Sequence, residues 1–435
     1  MQLKQAGSIR GALAMASCTL LAATPNTSNA SDSSDQSRDP WKIDSAVLFY
    51  SEKDRVSVLE PVVTIRRAIG EEEFLNFKLV ADTMTGSTPN GATATDKSQT
   101  FTTASGNDTY TIAPNQTPLR HFEDNRVAIS ADWEKPFSRT FRSILGANFS
   151  RETDYTSVGI SSTFNWDFNN KLTTLGAGIS AGLDFVQPQG GAPESFALLP
   201  KFNSLFLKSE NEGEGNNGPG KRKVLADGLI GITQVVNRRT LMQLNYGIGR
   251  SSGYLTDPYK ILSVVDGATG ETVAYRNELR PDKRLRQTIY LETVYHLPKD
   301  VVHFSYRYYW DDWGIRAHTL DLHYRFELGG GHYLQPHLRY YTQTAADFYR
   351  FSLVQGEPLP DYASADYRLA ALTSKTVGLK YGFPVGKGGE LSLRTEYMHQ
   401  TGNSHPADAI GIQKTQDLYP GLQAWIVQFG YKFEF

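Results

Sequence analysis

The sequence predicts an all-β protein, an antiparallel up-and-down transmembrane β-barrel of about sixteen strands with short periplasmic turns and long extracellular loops. Three observations lead there. The chain ends "GLQAWIVQFGYKFEF", and every second residue back from the end is apolar: Phe435, Phe433, Tyr431, Phe429, Val427 and Trp425. Between them fall Glu434, Lys432, Gly430 and Gln428. A two-residue period is that of a strand with one apolar and one wet face. Second, similar alternation recurs along the chain, and no comparable stretch has a convincing helical period. Third, the connections between alternating segments switch between short and long. If strands simply go up and down, all the long ones fall on one side, as in an outer-membrane barrel. A soluble propeller or sandwich has no reason to segregate its loops this way.

Composition agrees. Net charge is -2 over 435 residues, which leaves no electrostatic footprint for nucleic acid. Aromatics are 12% of residues, with 23 Tyr and 22 Phe, and such rings suit membrane interfaces. Mean hydropathy is -0.40, and no run of apolar residues is long enough for a membrane helix. A barrel escapes that test because only alternate residues need be apolar.

The elements follow in chain order. Residues 1–30 read as an export signal: Lys4 and Arg10, then the apolar "GALAMASCTLLAAT", then a small-x-small site at Ser28 to Ala30. The single cysteine, Cys18, lies inside this segment. "MASC" has some likeness to a lipoprotein cleavage box, but apolar residues continue past it as in an ordinary signal. Cleavage after Ala30 leaves no cysteine for disulfides or catalysis. Residues 31–40 read as a disordered mature N-terminus and 41–435 as the barrel.

Strands are expected near 41–51, 55–69, 73–85, 122–136, 139–151, 155–168, 171–186 and 224–237. They continue near 240–255, 284–297, 300–313, 316–328, 332–347, 364–384, 389–402 and 421–435. Without the first two the count is fourteen. "HTLDLHYRFEL" is the cleanest, with Leu320, Leu322, Tyr324, Phe326 and Leu328 against Asp321, His323, Arg325 and Glu327. Short turns fall at Gly70–Glu73, Pro136, Asn169, Asn237, Pro298, Gly329 and Val385. Long loops fall near Gly86–His121, Gln187–Lys223, Thr256–Lys283, Arg350–Ala363 and Gly402–Pro420. An even count leaves both ends of the barrel on the short-turn side, and the last strand closes against the first. The terminal Phe435, Phe433 and Tyr431 resemble the C-terminal signal that outer-membrane proteins present to the barrel assembly machinery.

Five stretches resemble one bacterial family, domain of unknown function 3570. They are "VLFYSEKDRVSVLEPVVTI", "KLVADTMTGSTPNGA", "GYLTDPYKILSVVDG", "YRYYWDDWGIRAHTLDLHYRFEL" and "YYTQTAADFY…SADYRLAALTSKTVGLKYG". The resemblance implies an outer-membrane barrel and hands over no catalytic residue. Genes of this family can lie near those for flavin-transferring and redox maturation proteins, which implies periplasmic accessory partners.

Six of the nine histidines fall within His296–His337. His303, His323 and His337 share the predicted lumen face. A turn centred on Gly330 sets His323 opposite His337, and Asp321 opposite Arg339. A hairpin centred on Trp313 sets His303 opposite His323. Cross-strand Cβ atoms lie about 5 Å apart, close enough to share a metal or a proton. The other reading makes these ordinary lumen residues in a charge network with Arg307 and Arg325, and a one-residue slip would destroy the row. "WDDWG" places Asp311 and Asp312 at a hairpin tip, either as a cation site or as a solvated turn. "GYLTDPYKILSVVDG" is apolar enough to fold inward and constrict the lumen.

No P-loop, H-E-x-x-H or cysteine pair is present. His318 is the one outward histidine with serines nearby, and it has no evident partner. The expectation is therefore no enzyme and no cofactor. A porin-like channel with a mixed-charge lumen comes first, then a loop-plugged accessory barrel of a periplasmic redox system, then an outer-membrane enzyme. Expected partners are outer-membrane lipid, the assembly machinery and periplasmic accessory proteins, with no nucleic acid.

Overall fold

The computed structural model describes residues 41–102, 109–199 and 220–434. Residues 1–30, expected as an export signal, the segment 31–40, expected as a disordered N-terminus, and Phe435 of the expected assembly signal lie outside the described residues. In chain order the first strands are β1 Trp41–Glu52, β2 Val56–Gly70, β3 Glu73–Pro89, β4 Gln99–Thr102, β5 Thr109–Ile112, β6 Leu119–Ser138 and β7 Phe141–Arg151. Then come β8 Tyr155–Phe168, β9 Thr173–Val186, β10 Lys221–Asn237, β11 Thr240–Gly253, β12 Ile261–Val265, β13 Thr272–Asn277 and β14 Lys283–His296. The last are β15 Val301–Asp311, β16 Arg316–Gly329, β17 His332–Gln343, β18 Ser352–Val354, β19 Leu372–Val385, β20 Gly389–Gly402 and β21 Leu422–Glu434.

Sixteen of these form one closed antiparallel barrel. It is sealed by β1 against β21, from Lys42 opposite Glu434 to Glu52 opposite Ala424. Closure leaves no backbone edge in lipid, which a membrane-spanning sheet requires. Alternate residues on the outside are apolar and open, with Ile179 66%, Ile160 64% and Phe429 61% exposed. A closed barrel wearing such an apolar band belongs in the outer membrane. Aromatic residues border the band. Phe137, Phe141 and Trp166 stack beside one set of short turns, as do Tyr381 and Phe383. Tyr308 with Trp310, and Tyr397 with Trp425, lie toward the other rim.

The structure departs from expectation in three respects. The segment expected as a strand over 364–384 enters the barrel only at Leu372. Ahead of it, Ala363, Ala365, Tyr367 and Leu369 are buried among loop residues, and Tyr367–Leu369 form a 3-10 turn. Their alternation matches the period of a strand but serves a core made by loops. Similarly the wall strand expected to reach 347 stops at Gln343, and Ala346 enters that core. The long connections do all share one rim, but three others on that rim are short, at residues 53–55, 152–154 and 312–315.

On the inner wall, glycines make room for large neighbours. Tyr333 is fully buried opposite Gly382, with Arg325 stacked 3.6 Å over its ring and its hydroxyl donating to Glu390 at 2.8 Å. A Cβ at residue 382 would overlap the Tyr333 ring. Gly382→Val should therefore lower stability by about 1–3 kcal/mol through overpacking. The check is the temperature at which heat-modifiable gel mobility is lost; an unchanged midpoint would show that the ring moves aside freely.

Candidate functional site

The outer mouth of the barrel is filled by its own loops. β12 is the centre of a small sheet, antiparallel to β13 and parallel to β18, so it joins two loops that are far apart in sequence. Leu262, Val264, Leu353, Ala363 and Ala365 form its core. "GYLTDPYKILSVVDG" contributes the buried Lys260, Leu262, Ser263 and Val265. Backbone hydrogen bonds tie the loops together: Ile261 N donates to Asn90 O at 2.9 Å, Gln355 N to Val265 O at 2.8 Å, and Ile412 N to Thr269 O at 2.9 Å. The cap is also fastened to the wall. Tyr367, Ala370 and Tyr419 from loops pack with Leu372, and Tyr341 lies against them. Trp313 and Ile315 pack with Ala346, Phe348 and Leu369.

Six charges are gathered inside the cap. Arg280 holds Glu278 at 2.6 Å and Asp366 at 2.9 Å. Arg368 also binds Asp366, and reaches Asp257 at 2.7 Å. Lys260 Nζ donates to the carbonyl of Pro89 at the end of β3. Ser364 Oγ and the Asp257 amide both donate to Glu278. Three acids thus balance three bases. Burial would raise the Asp366 carboxyl, but Arg368, Lys260 and Arg280 outweigh it and hold it well below the ordinary carboxylate range. Glu278 goes the other way: burial raises it, against the opposing pull of Arg280. Burial also lowers the Lys260 ammonium, which Asp366 opposes.

A cavity of about 200 Å³ lies between this cluster and the wall, lined in part by Asp154, Lys223, Tyr254, Arg284 and Arg286. Its cations are matched by acids. Lys223 pairs with Asp184 at 3.1 Å, Arg284 with Asp311 at 2.6 Å and Arg286 with Asp227 at 3.3 Å. Asp311 is therefore not the solvated half of a turn. Its side chain is buried, and it accepts from the Trp313 and Ile315 amides at 3.1 and 2.9 Å. Asp312 is exposed and accepts from the Leu285 amide at 2.9 Å.

The histidines lie on the wall within the membrane span. His303 pairs in register with His323, and His323 with His337. The His323 and His337 rings stack at 4.0 Å, 9° from parallel. Asp321, opposite Arg339, joins them: His323 Nε2 is 2.9 Å from its Oδ1, and His337 Nε2 is 3.1 Å from its Oδ2. Arg339 is 3.8 Å from the same carboxylate. His337 Nδ1 lies 2.9 Å from Glu396. Glu396 stands two strands away, and the intervening partner of both residues is Gly378. A Cβ there would lie 2.5 Å from Glu396 Cγ, so the absent side chain is what lets the two meet. His303 sits at the margin, 3.5 Å from Glu292. Arg307 lies over the Tyr290 ring at 5.4 Å, and Arg325 binds Glu327.

Sequence reasoning missed Glu292, Glu396 and Gly378. The available signal was the inward parity of both glutamates, Glu292 on the strand next to the row and Glu396 two strands beyond its other end. His318, for which the sequence offered no partner, is bound by the Tyr306 hydroxyl at 2.7 Å on the lipid side. At the C-terminus Tyr431 is open to lipid and stacks with Phe433 at 6.1 Å.

No curated protein matches the chain. Among solved structures it is similar to Pseudomonas aeruginosa OccK5 (OpdH), at 6% identity over 92% of this chain and 98% of that chain, TM-score 0.42. It is also similar to the CymD monoaromatic hydrocarbon channel, at 8% identity over 92% and 89%, TM-score 0.39. The family model described as "Protein of unknown function (DUF3570)" matches residues 10–433, nearly the whole length. The chain belongs to that family.

Proposed function

We propose that this barrel passes small polar solutes across the outer membrane through a lumen narrowed at its outer mouth by a folded loop cap. The observation that carries this reading is the cap's own core, in particular the buried Arg280 bound to both Glu278 and Asp366. Loops that merely hang in solvent do not build apolar clusters and matched internal charges. The wall beside the cap pairs each of Lys223, Arg284 and Arg286 with an acid, so the path should show weak preference between anions and cations.

Planar-bilayer recording of the purified barrel tests this. Small, weakly selective unitary steps are expected. Large steps, as from an unobstructed barrel of this size, would overturn the constriction. The density of the cap supports a second reading, an accessory barrel that passes nothing. Silence both in the native protein and in a variant with residues 257–278 replaced by a short Gly-Ser linker would select it.

A further inference from the structure

We propose that Asp321, His323 and His337 form a binding site for a divalent transition-metal ion on the lumen wall. The donors come from adjacent strands in fixed register, β16 supplying Asp321 and His323 and β17 supplying His337. One ligand atom of each lies within 4.8 Å of the others. Zinc binds imidazole nitrogen and carboxylate oxygen at roughly 2.0–2.2 Å. Separations of 2.9 and 3.1 Å place both Nε2 atoms beside the Asp321 carboxylate, and turning the two stacked rings toward each other aims both lone pairs at one ion there.

A second observation points to a cation. His337 stands between two carboxylates, with Nδ1 2.9 Å from Glu396 and Nε2 3.1 Å from Asp321. Neutral imidazole has one N–H to donate. Whichever nitrogen carries it, the other faces a carboxylate with lone pair against lone pair. A second proton on the ring resolves this, and so does a metal ion at Nε2. Glu396 is placed as a positioning residue, since a carboxylate that accepts from the remote nitrogen fixes the tautomer and orients the ligand ring. Two imidazoles and one carboxylate favour zinc or copper over calcium or magnesium, which take oxygen ligands. His303, beside Glu292, stands outside the donor set. The site does not depend on the passage reading, because a barrel that conducts nothing would hold the ion equally well.

The test uses the full barrel in detergent, stripped with chelator and titrated with ZnCl2 alone by calorimetry. One ion per barrel is expected. His323→Gln, His337→Gln and Asp321→Asn should each weaken binding by at least about tenfold, and Glu396→Gln by roughly 10- to 100-fold. Gly378→Ala should behave like Glu396→Gln, because its methyl displaces that side chain. His303→Gln should leave affinity unchanged. With Cu2+ as probe, electron paramagnetic resonance should show two imidazole nitrogens in the native protein and in Glu396→Gln, but one in His337→Gln. Heat-modifiable mobility identifies variants that fold, and any one folded ligand variant is enough to decide. No zinc binding by the native barrel, or binding untouched by these substitutions, would overturn the site and leave His337 as a doubly protonated ring between its carboxylates.

Discussion

Arg280→Met should open the cap and raise unitary conductance several-fold, without unfolding the barrel. Arg280 is 3% exposed and holds both Glu278 and Asp366. Removing one partner of a buried ion pair leaves an uncompensated charge, at a cost of about 3–5 kcal/mol. The cost falls on loop packing, because the wall strands keep their own ladders. The double variant Arg280→Met with Glu278→Gln restores the charge balance and should recover much of the native conductance. The pH response follows from the signs. Asp366 is held below its ordinary range, so its contribution is complete above the unfolded carboxylate value and fades only as pH falls through the depressed folded value. Glu278 is raised, so its ionisation opposes the folded cap at high pH, and that penalty vanishes as pH falls through its folded value. The native cap should therefore stay closed in mild acid. Arg280→Met should partly reclose as pH falls and Glu278, whose carboxyl is raised by burial, takes up a proton. A variant that conducts like the native protein, or opens further in mild acid, would contradict this account.

The second large effect belongs to the lipid face. Ile179 is 66% exposed near the middle of β9. Arginine at the bilayer midplane on a lipid-facing position costs about 2–4 kcal/mol. Ile179→Arg should lower barrel stability by that amount, read as the urea midpoint of folding into lipid vesicles. Its neighbour Ser180 points inward opposite Asp227, so Ser180→Arg should be tolerated. Equal effects at both positions would mean that the parity of β9 is wrong.

The sequence alone determined the wall. Lipid asks only that alternate side chains be apolar, so each strand announces itself by its own period without reference to its neighbours. Short turns also fix register, which is why the pairing of His323 with His337 and of Asp321 with Arg339 could be read from the Gly330 turn. Tertiary structure decided everything that depends on distant segments. The run from Ala363 to Leu369 alternates like a wall strand, yet it is buried in the cap, because a period reports one apolar face and not what covers it. Asp257 and Arg368 meet only because two loops close over the same mouth. The glutamate that orients His337 was hidden for a related reason. Glu396 reaches it across Gly378, and a residue with no side chain leaves no mark in an alternation pattern while deciding which neighbours can touch.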